Sequence, residues 1–163
     1  MEPREDASVV RFRSGKYYNY VAIRKGGQWH TSARSSARAD EPIHEYAWNH
    51  IDRVEAWPDL LARCNTFAVA TAWASAPAVL KNEGAVVRFM MEGSTEWHAA
   101  IHAGSGSWYA TIDDGEHGSS DGYGLRIYDH RIRGFGDIVE YSSRIDVATE
   151  WEPLPGIGLP PAR

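Results

Sequence analysis

The chain is poor in several things, and each shortage narrows the field. Cys64 is the single cysteine in 163 residues. No internal disulfide can form, and nothing points to an oxidising compartment. No apolar run approaches the roughly 18 residues of a membrane span. The opening Met1-Glu2-Pro3-Arg4-Glu5-Asp6 is polar, with no apolar stretch behind it of the kind a secretory signal needs. A cytoplasmic protein with no membrane partner is the expectation. There is no Gly-x-Ser-x-Gly elbow, no phosphate-binding glycine loop and no paired-cysteine zinc pattern. No reaction is therefore marked in the sequence, and the expectation leans away from an enzyme and assigns no cofactor.

Positive charge is also short. The net charge is −5, split unevenly: residues 1–40 hold eight Lys/Arg against four Asp/Glu, and residues 41–163 hold nine against eighteen. Nucleic-acid binding rests on neutralising phosphates, so an acidic chain with a mildly basic head makes nucleic acid the less favoured partner.

What the chain does have is aromatic residues, seven Trp and eight Tyr, and an internal echo. Val9-Val10-Arg11-Phe12 returns as Val86-Val87-Arg88-Phe89, Ala22-Ile23 as Ala100-Ile101, and Trp29 as Trp108. Further on, Val69-Ala70-Thr71-x-Trp73 returns as Val147-Ala148-Thr149-x-Trp151, and Trp57-x-Asp59 as Phe135-x-Asp137. The offset is 77 to 79 throughout. Matches in constant order and spacing are the signature of a repeat. The reading is a tandem duplication: residues 8–78 form a first β-rich repeat, 85–156 a second, 79–84 the join and 157–163 a Pro/Gly-rich tail.

Within each copy, β-branched and aromatic runs suggest a three-strand meander. The strands fall at 9–13, 17–25 and 28–33 in the first copy, and at 85–91, 95–103 and 107–112 in the second. Gly26-Gly27 makes the first tight turn. A late strand follows at 67–74 and again at 145–152. There, period two places Val69, Thr71 and Trp73 on one face, with Trp73 and Trp151 as core residues. Pro58 suits the first turn of a short helix over 58–64, and 136–141 matches it less strongly. The expected fold class is α+β, mainly β. Two homologous antiparallel four-stranded units, each with at most a short helix, pack with pseudo-twofold symmetry into one body.

The motifs Val9-Val10-Arg11-Phe12, the tyrosine-rich strand ending Val21-Ala22-Ile23, Gly26-Gly27-Gln28-Trp29-His30-Thr31 and Val147-Ala148-Thr149-Glu150-Trp151-Glu152-Pro153-Leu154 resemble a group of small actinobacterial-phage (mycobacteriophage-type) proteins. Those are near the length of one repeat, whereas this chain is doubled and has a longer middle segment. The resemblance implies a phage product acting in the cytoplasm of its bacterial host. It carries over no catalytic residue.

Candidate binding residues lie on the second strand of each meander. Val21, Ile23, Ala99 and Ile101 should face the core. Tyr18, Tyr20 and Arg24, with His98 and His102 opposite them in the second copy, should then face outward. Tyr and Arg are common at protein-binding hot spots, and an ordinary polar sheet face is the plainer reading. His98 and His102 have the His-x-x-x-His spacing of helical zinc sites, but on a strand four residues span about 13 Å, too wide for one ion, so no metal is expected. The acidic loop holding Asp113, Asp114, Glu116, His117 and Asp121 answers, in the repeat, to a basic loop with Arg34 and Arg38, which suggests pairing between loops or self-association. Cys64 reads as a plain buried thiol.

Three functions follow, in order. The first is a non-enzymatic phage protein that binds and modulates a host bacterial protein. The second is a nucleic-acid module using the Tyr/Arg sheet face. The third is a small-molecule binder or enzyme with its site between the two repeats.

Overall fold

Gly26 and Gly27 sit at φ +59° and +81°, the left-handed pair that a two-residue hairpin demands and that glycine adopts without a Cβ clash. They join strand β2 (Tyr17–Lys25) to β3 (Gln28–Thr31). The computed structural model describes residues 2–14, 17–32, 54–63, 65–102, 108–112, 127–128, 131–132 and 134–154. Over these, the protein is mainly β. The remaining strands are β1 (Val9–Ser14), β4 (Val54–Glu55), β5 (Asn65–Ser75), β6 (Val86–Met91), β7 (Trp97–His102), β8 (Trp108–Ala110), β9 (Ile127–Tyr128), β10 (Arg131–Ile132) and β11 (Ser142–Pro153). Among the described residues two short helices, α1 (Trp57–Arg63) and α2 (Phe135–Tyr141), each precede a long strand. The helix expected at 58–64 and its weaker partner at 136–141 are both present.

All strands join one antiparallel sheet in the order β4-β3-β2-β1-β5-β11-β6-β7-β8-β10-β9, curled into a half-barrel. The two long strands β5 and β11 pair at its centre. The curl brings β2 and β7 face to face. Val9, Val21 and Ile23 meet Val86, Ala99 and Ile101 there, all buried. The outer side of each arm carries its own core. Val10, Phe12, Tyr20, Ala22, Trp29 and Phe67 pack under Trp57 and Leu60 of α1. Val87, Phe89, Met91, Ala100, Trp108 and Ile132 pack with Phe135 and Ile138 of α2. Burying apolar area on both faces of the arms supplies most of the favourable free energy of folding.

Several polar contacts recur at the same spacing. Ser32 donates its N–H to the Val21 carbonyl and accepts from the Val21 N–H (2.8 and 3.2 Å). Thr111 does the same with Ala99 (2.9 and 3.0 Å). In each case a hydroxyl satisfies a buried backbone N–H that would otherwise be costly. Ala7 N donates to Arg24 O, and Gly84 N to His102 O, both at 2.8 Å. Ala76 N donates to Ile145 O, and Leu154 N to Phe67 O, both at 3.0 Å.

The late strands correct the period-two reading. In the β5–β11 ladder, Trp73 pairs with Ala148, Ala72 with Glu150 and Ala70 with Trp151, so Thr71 and Thr149 are each left over at a register shift. An extra residue turns everything beyond it to the opposite face. Val69 therefore packs on the core under α1, while Trp73 packs against the central cluster. Trp73 and Trp151 are half-buried at the margin of that cluster and not within it.

Candidate functional site

Of the five residues expected on an outward face, three are buried. Tyr20 stacks 5.8 Å from Phe12 in the cluster under α1. His98 and His102 are 4% and 6% exposed. The expectation assumed that one face of β2 and β7 meets solvent. It fails because the inner faces pack on each other and the outer faces are covered by helices. The tyrosine sheet face proposed for base stacking is accordingly covered at Tyr20. Tyr18 lies on β2 opposite Arg13, and its side chain is outside the described residues. Cys64 and the loops with Arg34, Arg38, Asp113, Asp114, Glu116 and Asp121 are outside them too. Among the described residues no group of three His, Cys, Asp or Glu is arranged to hold a metal. No helix there is long and apolar enough to cross a membrane.

Arg24 is held by the N-terminal segment. Its Nη1 donates to Asp6 Oδ1 at 3.0 Å, and its Nε lies 3.6 Å from Glu2 Oε2. The second distance is an ion-pair contact too long for a hydrogen bond, which leaves Arg24 Nε buried without an acceptor. The same Glu2 oxygen accepts from Trp29 Nε1 at 3.2 Å. A carboxylate thus closes the first arm over its buried tryptophan.

His98 belongs to a cluster that bridges the two arms. Lys25 Nζ is 2.8 Å from Glu96 Oε1 and 3.5 Å from His98 Nδ1. Burial, assisted by the Lys25 charge and opposed by Glu96, lowers the His98 pKa to about 4. The ring is neutral near pH 7. Its Nδ1 accepts from the Lys25 ammonium, so Nε2 carries the proton, and that Nε2 is buried with no partner. His30 is also lowered, by burial first and by Lys25 second.

A cleft of about 630 Å³ lined by described residues opens on the second arm. Ala78, Val79, Leu80, Lys81 and Glu83 form one wall, His102 and Trp108 the floor, and Gly134, Phe135 and Gly136 the other wall. The floor is a layered aromatic platform. The His102 ring stacks on Trp108 at 5.0 Å and 22°, and Trp108 lies 5.1 Å from Phe135. His102 Nδ1 is 3.0 Å from the Asn82 carbonyl, which can only accept, so Nδ1 is the donor. Val79 at the rim is 64% exposed. The size lies within the range of ligand pockets, as does the pattern of apolar walls with few polar groups. Sequence reading named His102 but missed the cleft. Its far wall is the stretch that read as a mere join between repeats.

Comparison with protein-family models, with curated proteins and with solved structures finds no match to this chain.

Proposed function

We propose that this chain is a non-enzymatic phage protein, built by tandem duplication of one β unit, that binds and modulates a protein of its bacterial host in the host cytoplasm. In this reading residues 8–78 and 85–156 are the two copies, related by a pseudo-twofold axis between β5 and β11. The recurring contacts at Ser32 and Thr111, at Ala7 and Gly84, and at Ala76 and Leu154 support it. So does the central ladder, where Ala72 faces Glu150, its own equivalent 78 residues on. The phage origin rests on the motif resemblance alone.

The observation that carries the binding role is the cleft over His102 and Trp108. An open apolar groove with an aromatic floor and an exposed valine at its rim suits an inserted apolar segment of a partner. A small organic ligand is the second reading, favoured by the cleft volume of about 630 Å³. The test is capture from bacterial lysate by the wild-type chain and by Val79→Trp, which fills the cleft from an exposed position. A protein retained by the first and lost by the second is expected. Equal capture by both, or none by either, would overturn the reading.

A further inference from the structure

The two arms offer the same cradle in two states. In the first, Trp29 Nε1 donates to Glu2, whose carboxylate also faces Arg24. Both protein groups are donors, and the occupant is a pure acceptor. In the repeat, Trp29 corresponds to Trp108 and Arg24 to His102; carrying the 77-residue spacing of the matching Ala7 and Gly84 contacts into the segment before each copy sets Asp6 against Glu83 and Glu2 against Val79. The occupying carboxylate has been replaced by an exposed valine, and the cleft stands open at that place. No described residue accepts from the Trp108 indole.

The donor set has changed as well. Arg24 can only donate. His102 spends its Nδ1–H on Asn82 O, and in the tautomer that this bond selects Nε2 is left as an acceptor. The floor therefore combines one indole N–H donor with one imidazole acceptor. A carboxylate satisfies the first and is repelled by the lone pair of the second. A primary carboxamide matches both, with its oxygen on Trp108 Nε1 and its N–H on His102 Nε2. Glutamine is the amide of the same length and shape as the glutamate that fills the first arm. Ala78, Val79, Leu80 and Phe135 around the floor suit apolar neighbours of that glutamine.

We infer that the cleft recognises a glutamine side chain on a segment of the bound partner protein, with Trp108 and His102 reading its carboxamide. This rests on the protein-binding reading above. The probe is N-acetyl-leucyl-glutaminyl-leucine N-methylamide, compared with its glutamyl counterpart at pH 8, by calorimetry and by the NMR shift of the Trp108 indole proton. The glutaminyl probe should bind saturably, move that proton downfield, and bind at least tenfold more tightly than the glutamyl probe.

His102→Arg recreates the first arm's donor pair beside Glu83 and should reverse the preference. Val79→Gln should block the probe from within, while Val79→Leu leaves it bound. Equal binding of the two probes, or tighter binding of the glutamyl one, to the wild-type chain overturns the proposal. That comparison stands even if His102→Arg does not fold. Free glutamine binding as tightly as the tripeptide overturns the protein-segment source. If neither probe binds while Val79→Trp still abolishes capture from lysate, the glutamine inference falls and the protein-binding reading survives. If Val79→Trp leaves capture unchanged, the underlying reading falls.

Discussion

The guanidinium of Arg88 lies over the indole of Trp73, 4.3 Å from the ring centroid. Arg11 lies over Trp151 at the same 4.3 Å. Each arginine comes from one arm of the sheet and each tryptophan from the central strand of the other, so the two contacts cross between the halves. Burial lowers the pKa of both guanidinium groups, and Asp146 opposes that shift at Arg88. Partly desolvated cation–π contacts contribute about 0.5–2 kcal/mol each. Arg88 also sits 3.5 Å from the buried Asp146 carboxylate and 3.4 Å from the Ala7 carbonyl. Arg88→Ala should therefore destabilise more than Arg11→Ala, because it removes one of the two cations on the buried Asp146, leaving Arg144 at 3.2 Å, as well as uncovering a ring face. Urea unfolding of both variants checks the order. Equal losses would mean that the Asp146 pair adds nothing.

A second comparison concerns aromatics whose burial runs against their appearance in the sequence. Tyr20 looks like a surface residue and is 7% exposed, within the core under α1. Trp73 looks like a core residue and is half-buried. Tyr20→Ala should lose about 3–5 kcal/mol, the range for a buried large aromatic, and Trp73→Ala less. Thermal unfolding of the two variants measures this. A Tyr20 variant that melts with the parent would contradict the packing described.

Much of the framework could be read from residue types. Val-Val-Arg-Phe twice, the Gly26-Gly27 turn and Pro58 at a helix start are local signals, and the strands and both helices follow them. What local pattern could not reveal is which faces meet. Alternation along β2 and β7 implied one wet face, but the inner faces meet each other and the outer faces are covered as well, so Tyr20, His98 and His102 are buried. Period two also failed at Thr71 and Thr149, since a register shift leaves no mark in composition. Of the site, His102 was legible. The cleft depends on where residues 78–83 lie against Phe135, a contact distant in sequence.

His98 gives a pH signature. Its pKa is lowered from an ordinary 6.5 to about 4 in the folded protein, mainly by burial and then by Lys25. Below 6.5 the unfolded chain takes up the proton more readily than the folded one, so stability falls as pH drops from 6.5 towards 4. The loss approaches about 3 kcal/mol for a shift of this size. Glu96, paired with Lys25 and lowered by that pair, adds its own loss only below its ordinary range near 4.5. His98→Phe should reduce the slope between pH 6.5 and 4.5, leaving the part that comes from His30, which burial also lowers. Melting curves across that window check it, and an unchanged slope would mean that His98 is protonated in the folded state.

The role of the cleft can be read at the residue that borders it. A photo-crosslinking amino acid at Val79 on the rim is compared with one at Val139, which is 37% exposed and does not line the cleft. Both variants are irradiated in bacterial cells expressing them. A discrete adduct with a host protein from position 79, and none from 139, is the predicted result. No adduct at 79, or the same adducts from both positions, would contradict a partner seated over His102 and Trp108.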